Sequence, residues 1–352
     1  MSLLSIRHDL PADVLRRPAT RLFEVLDGPT LIHLPGDRPQ PLFVSVLMHG
    51  NEDTGWRVIR NVLEEYGERL PRALSIFIGN VRAARYGKRR LERQPDYNRI
   101  WAADGDTPEH DMVRGVLASM RERQVFASID IHNNTGINPH YACVNRLDPR
   151  YLELARRFSR MVIYFTRPSG VQSLAFARLC PAVTLECGQP GDEIGIQLAT
   201  RLVRQMLEAD SLQGDPALID DIDLYHTVAV TKVPNDISIS FSGEVADVRF
   251  IRGIEQLNFE EIPAGTRLAD VTTPSMPLNV MDEDGRDIGA AYFEINDGRL
   301  LTRQALMPSM LTVNERIVRQ DCLCYLMERY DPSRGEKPLP ETPLWNDAAP
   351  RS

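Results

Sequence analysis

His49 and Glu52 form an H-x-x-E step at the end of an apolar run, LFVSVLMHG from Leu42, and His132 ends a second run in DIHNNTG. A turn can bring an imidazole and a carboxylate three residues apart to one point. Alone the step is weak, because H-x-x-E arises often by chance and a strand-end histidine commonly serves only as a hydrogen-bonding partner. Two histidines and one carboxylate with a fourth position open nevertheless match catalytic zinc rather than closed, structural zinc. Glu186 ends a third apolar run, AVTLECGQPG. By itself it reads equally well as a glutamate solvated at a strand exit. Beside a His-Glu-His site it becomes the natural general base for a water activated by zinc, Zn2+ at one per chain.

Amide hydrolysis also needs a donor for the developing oxyanion, and a carboxylate-bearing substrate needs a planar, bidentate cation. Arg82 in NVRA and the Asn98-Arg99 pair in DYNRIW are candidates for these two tasks. Lys88, Arg89 and Arg90 read as a solvated basic face that could help attract an anionic substrate. No G-x-S-x-G elbow supports a serine nucleophile. Cys187, next to Glu186, alternates to the other side of its strand and reads as a small buried apolar residue. His140 in NPHY is close enough in sequence to His132 to support it from behind.

The elements that must position these residues follow from periodicity. Strands are expected at Leu42, at Leu74–Asn80, at Val125–His132, at Met161 and at Ala182, separated by helices over Thr54–Glu68, Pro108–Arg123, Arg150–Arg160 and Glu193–Glu208. Val81–Trp101 shows neither period and reads as a long functional loop. The alternation predicts an α/β fold, a mixed sheet flanked by helices, over residues 1–212. From Ile222 short β-branched segments and turn signals such as Ser242-Gly243 and Asp297-Gly298 predict a smaller, β-rich C-terminal domain over 222–330. Residues 331–352, with five prolines, read as an extended tail.

The chain is 352 residues long, about two domains' worth, with 43% hydrophobic and 26% charged residues. That composition is globular rather than fibrous or disordered. Forty-one Lys and Arg against 49 Asp and Glu give a net charge of −8, which argues against nucleic acid and anionic membranes as partners. Five cysteines without framework spacing argue against disulfides. No signal-like or spanning apolar stretch is present, so a cytoplasmic location is expected.

The motifs HGNE (His49–Glu52), NVRA (Asn80–Ala83), DYNR (Asp96–Arg99), DIHNNTG (Asp130–Gly136) and TLECG (Thr184–Gly188), in this order and spacing, resemble the succinylglutamate desuccinylase and aspartoacylase family. These zinc hydrolases are related to the metallocarboxypeptidases, and the resemblance covers residues 42 to about 300. It implies zinc on His49, Glu52 and His132, with Glu186 activating water and then protonating the leaving amine. It further implies that Arg82 polarises the scissile carbonyl, that Asn98 and Arg99 hold a substrate carboxylate, and that Tyr292 in GAAYFE reaches back to the substrate. Aspartoacylases carry a further Arg shortly before the catalytic glutamate. Here Gln172, Ser173 and Arg178 stand in that stretch without a clean counterpart, so a different acyl or amino-acid partner is expected.

The resulting expectation is a zinc-dependent amide hydrolase that removes an acyl group from a small N-acyl amino acid or related carboxylate-bearing amide. A metallocarboxypeptidase trimming a C-terminal residue is the nearest alternative, distinguished by whether the β domain restricts access to small substrates. A non-catalytic metal-binding protein is the third reading, disfavoured because all three ligands and the base are present. The sequence leaves the oligomeric state open.

Overall fold

Runs of β-branched and aromatic residues form strands wherever two helix-covered faces can bury them. The computed structural model describes residues 3–67, 69–102, 105–134, 136–331, 333, 335–337 and 339. In chain order the first half comprises β1 (Ser5–Arg7), β2 (Thr30–Leu34), β3 (Gly36–Val46), α1 (Thr54–Tyr66), β4 (Leu70–Ile78), α2 (Val81–Ala84), α3 (Pro108–Glu122), β5 (Ala127–His132), β6 (Tyr141–Val144), α4 (Pro149–Arg156), β7 (Met161–Tyr164), α5 (Gln172–Phe176), β8 (Ala182–Glu186) and α6 (Glu193–Glu208). There follow β9 (Asp223–Lys232), β10 (Ile239–Ser240), β11 (Val248–Phe250), β12 (Arg267–Val271), β13 (Asn279–Asp282), α7 (Gly289–Tyr292), β14 (Phe293–Asn296), β15 (Arg299–Thr302), β16 (Met307–Ser309), α8 (Glu315–Gln320) and β17 (Cys324–Arg329).

The fold is the expected mixed α/β sheet flanked by helices. Its strand order is β1-β2-β4-β3-β5-β8-β6-β7-β9-β17-β16, with β13 on β9. At the centre β4, β3, β5 and β8 run parallel, so β3, β5 and β8 send their C-terminal ends to one edge. That edge is where open α/β sheets build sites. Phe43 stacks on Phe176 of α5 on one face, while Val46 lies against Gly55 of α1 on the other.

Two features depart from the sequence expectation. The strand expected from Leu42, β3, ends at Val46 rather than running to His49, because Leu47 adopts φ 55 and turns the chain out of the sheet. The sheet also runs across residue 222. β9 pairs in parallel with β7, from Met161 opposite Asp223 to Tyr164 opposite His226, and β17 pairs antiparallel with β9. A separate five-stranded sheet, β10-β11-β12-β15-β14, packs a second apolar cluster around Val248, Ala269 and Leu300. Of the tail, residues 340–352 lie outside the described residues. Among the described residues no helix is long and apolar enough to cross a membrane.

Candidate active site and metal centre

Beyond Leu47 the chain folds back against the loop that follows β4. Gly50 makes this possible, since a Cβ there would stand 2.3 Å from the Ala84 nitrogen, and its own N–H donates to the Arg89 carbonyl (3.1 Å). The turn places Glu52 just before α1, where its carboxylate accepts from His49 Nδ1 (2.7 Å), His132 Nδ1 (2.8 Å) and the Asn133 N–H (3.2 Å). The Asn133 amide donates to Thr54 Oγ1 and the Gly188 carbonyl, both at 2.9 Å, tying together the loops after β3, β5 and β8. The three ligand atoms offered by His49, Glu52 and His132 lie within 4.8 Å of one another, and all three residues are buried.

Each imidazole is oriented from behind by a carboxylate: His49 Nε2 lies 3.0 Å from Asp96 Oδ1, and His132 Nε2 lies 2.7 Å from Asp130 Oδ2. This is the outer arrangement that fixes the ring of a metal-ligating histidine. Burial opposes charge on His132, but Asp130 and Glu52 outweigh it and carry its pKa well above the ordinary histidine value. Burial likewise raises Glu52, and the two imidazoles beside it more than reverse that and hold it below the usual carboxylate range. A proton on each inward nitrogen thus does what a divalent cation would do, and a metal binds such a site by exchange for those protons.

Glu186 lies at the same edge, its backbone opposite His132 in the β5–β8 ladder. Its Oε2 is buried without a hydrogen-bond partner among the described residues, and burial pushes its pKa up to about 8. An orphaned carboxylate oxygen beside two nitrogens and a carboxylate is the donor chemistry that zinc and a reacting water would satisfy. The residues present therefore fit the metal that the sequence implies.

A cavity of about 90 Å³ joins these groups. Of the residues singled out in the sequence, His49, Glu52, Asn98, Arg99, His132 and Glu186 line it. Asn98 Oδ1 accepts from the Gln172 N–H (2.8 Å), and its amide nitrogen lies 3.3 Å from His132 Nε2. Gly170 seats Arg99, because a Cβ there would fall 2.0 Å from the Arg99 carbonyl oxygen.

Arg82 is not brought to the cavity: it is exposed on α2. Arg89, read from sequence as part of a solvated face, is the arginine that turns inward. It donates from Nε and Nη2 to Asp96 Oδ2 (3.1 and 2.9 Å), and its Nη1 lies 3.9 Å from Glu52 Oε1. Tyr292 also stands outside the cavity lining. Its ring is buried in the second apolar cluster and its hydroxyl donates to Glu328 (3.0 Å), whereas Tyr141 and Tyr325 line the cavity. His140 pairs with Asp192 (3.1 Å) rather than supporting His132.

Sequence reading passed over Asp96, Asp130 and Asp321. A signal existed for Asp130, since residues i and i+2 of a strand share a face and D-x-H at a strand end therefore stacks the carboxylate behind the ring. Asp321 arrives from between α8 and β17, and nothing local marks it.

No protein-family model matches the chain, and no curated protein matches by sequence. Solved structures do match. Succinylglutamate desuccinylase from Chromobacterium violaceum is 17% identical, with a TM-score of 0.53 over 83% of this chain and 85% of that one. A succinylglutamate desuccinylase/aspartoacylase from Rhodobacter sphaeroides is 14% identical, with a TM-score of 0.55 over 85% and 88%. Murine aminoacylase 3 is 16% identical, with a TM-score of 0.52 over 84% and 96%. At these identities the likeness is one of architecture, and it runs through most of each chain: the protein has the fold of the succinylglutamate desuccinylase/aspartoacylase enzymes.

Proposed function

We propose that the protein is a zinc-dependent amide hydrolase that removes an acyl group from a small N-acyl amino acid or related amide. The observation that carries this reading is the unpartnered Glu186 oxygen in the same cavity as the buried His49–Glu52–His132 cluster. The names of the matched structures, two desuccinylases and an aminoacylase, point to the same chemistry.

Bound zinc would polarise the scissile carbonyl and acidify water. His49 and His132 would hold it through Nδ1 and Glu52 through its carboxylate, with Asp96 and Asp130 fixing the rings. Glu186 would take the proton of the attacking water on its free oxygen and return it to the leaving nitrogen. Arg89 would direct Nη1 at the developing oxyanion, the task the sequence assigned to Arg82. Ser309, Met310, Asp321 and Tyr325, all from the C-terminal part, contribute to the lining of this cavity of about 90 Å³. A site of that volume favours small substrates over peptides, and so supports an acylase over a carboxypeptidase.

Metal analysis after zinc loading is expected to give about one zinc per chain, and a panel of N-acyl amino acids and amides should reveal turnover. Glu186→Gln should lower kcat by about 10³-fold with zinc content unchanged. Equal activity in the two proteins would remove Glu186 from its role.

A further inference from the structure

Arg99, which the sequence assigned to a substrate carboxylate, already holds one. Its Nη2 donates to Asp321 Oδ1 and Oδ2 at 2.8 and 2.9 Å, and its Nη1 donates to the Asn98 carbonyl oxygen at 3.0 Å. Asp321 also accepts from Arg89 Nη2 at 3.2 Å, and both Arg99 and Asp321 line the cavity. Two guanidiniums, Arg89 and Arg99, thus face two carboxylates, Asp96 and Asp321, and the four charges sum to zero. A further anion at Arg99 would meet a guanidinium whose charge Asp321 already balances, and drawing Arg99 away would leave the half-buried Asp321 with Arg89 alone, a costly exchange. The remaining arginine on the cavity wall, Arg167, is exposed to water, and its Nε is committed to the Glu283 carbonyl (3.0 Å). A cation at the same place would meet the two guanidiniums.

We infer that Asp321 is a specificity-determining residue, and that the group a substrate presents to Arg99 is uncharged, such as a carboxamide, rather than a carboxylate. This inference rests on the hydrolase reading for its site and narrows the substrate class to acylated amines that present no carboxylate to Arg99.

The test is a comparison of binding constants in the zinc-loaded Glu186→Gln protein, titrated by calorimetry with N-acetylglycine and with N-acetylglycinamide. Replacing Asp321 frees Arg99, so Asp321→Asn should shift the ratio of the two constants toward the carboxylate by at least about tenfold. Because Asp321→Asn leaves the half-buried Arg99 without its carboxylate, the double variant Arg99→Gln, Asp321→Asn is the second arm. It replaces the pair by neutral hydrogen-bonding groups and should leave the ratio within about threefold of the starting protein. An unchanged ratio in Asp321→Asn, or a loss of carboxylate preference of about tenfold or more in the double variant, would overturn the inference. These ratios do not depend on turnover, so failure of wild type to hydrolyse any acyl compound counts against the hydrolase reading alone.

Discussion

At the scale of single residues, His132 and Glu186 were legible from the strands they end, whereas which arginine joins them in the cavity was not. His132 and Glu186 end adjacent parallel strands, and apolar runs ending in polar residues announce that position. Arg82 and Arg89 lie in a segment without periodicity, and which one turns inward depends on contacts distant in sequence: Gly50 on the Arg89 carbonyl, and Asp96 and Asp321 on its guanidinium. Asp321 is 232 residues from Arg89. Since Arg89 places donors in a rigid fork that an ammonium cannot reproduce, Arg89→Lys should lower kcat/KM by about 10²-fold. Arg82→Lys, on an exposed surface, should stay within about threefold. Steady-state kinetics on the two variants checks this, and a larger loss at Arg82 would return the oxyanion role to it.

At the scale of elements, the central strands were legible because each is a short apolar run bounded by turn residues. β2 was not, because in TLIHL a histidine interrupts the run. That histidine, His33, is buried, with Nδ1 2.9 Å from Ser75 Oγ on β4 and Nε2 3.1 Å from Ser119 Oγ on α3. Burial, assisted by the nearby Arg123 charge, lowers its pKa to about 4. In the unfolded chain a histidine titrates near 6.5, so between about pH 6.5 and 4 the unfolded state binds a proton that the folded state refuses. The stability associated with neutral His33 is therefore complete above about pH 6.5 and is lost as the pH falls toward 4. Urea unfolding at pH 7 and pH 5 should show this as a decline of order 1–2 kcal/mol that is absent in His33→Gln. An identical pH dependence in the two proteins would assign the decline to other groups.

At the scale of the whole molecule, the net charge of −8 says little about the site, because the inward arginines are matched locally by Asp96 and Asp321. The change in element type after residue 222, from long helices to short strands, was legible in the sequence. The continuity of the sheet was not, because a strand's partner is set by register and tertiary packing that no local pattern records. One apolar cluster draws its residues from Val14 to Leu224 and another from Ala229 to Leu326. A third joins Tyr141, Cys143 and Ile163 to Tyr225, Met307 and Met327. The C-terminal part therefore supplies β9 to the open edge of β7, half of that third cluster, and the Asp321 carboxylate that neutralises Arg99. A chain ending at Asp221 would expose a paired strand edge and apolar side chains beside an unmatched arginine, losses that together rival a domain's net stability of about 5–15 kcal/mol. We expect this truncated chain to aggregate on size-exclusion chromatography and to show no cooperative thermal transition, with or without zinc. A monomer with a sharp transition and about one bound zinc would instead show that residues 1–221 fold and assemble the metal site alone.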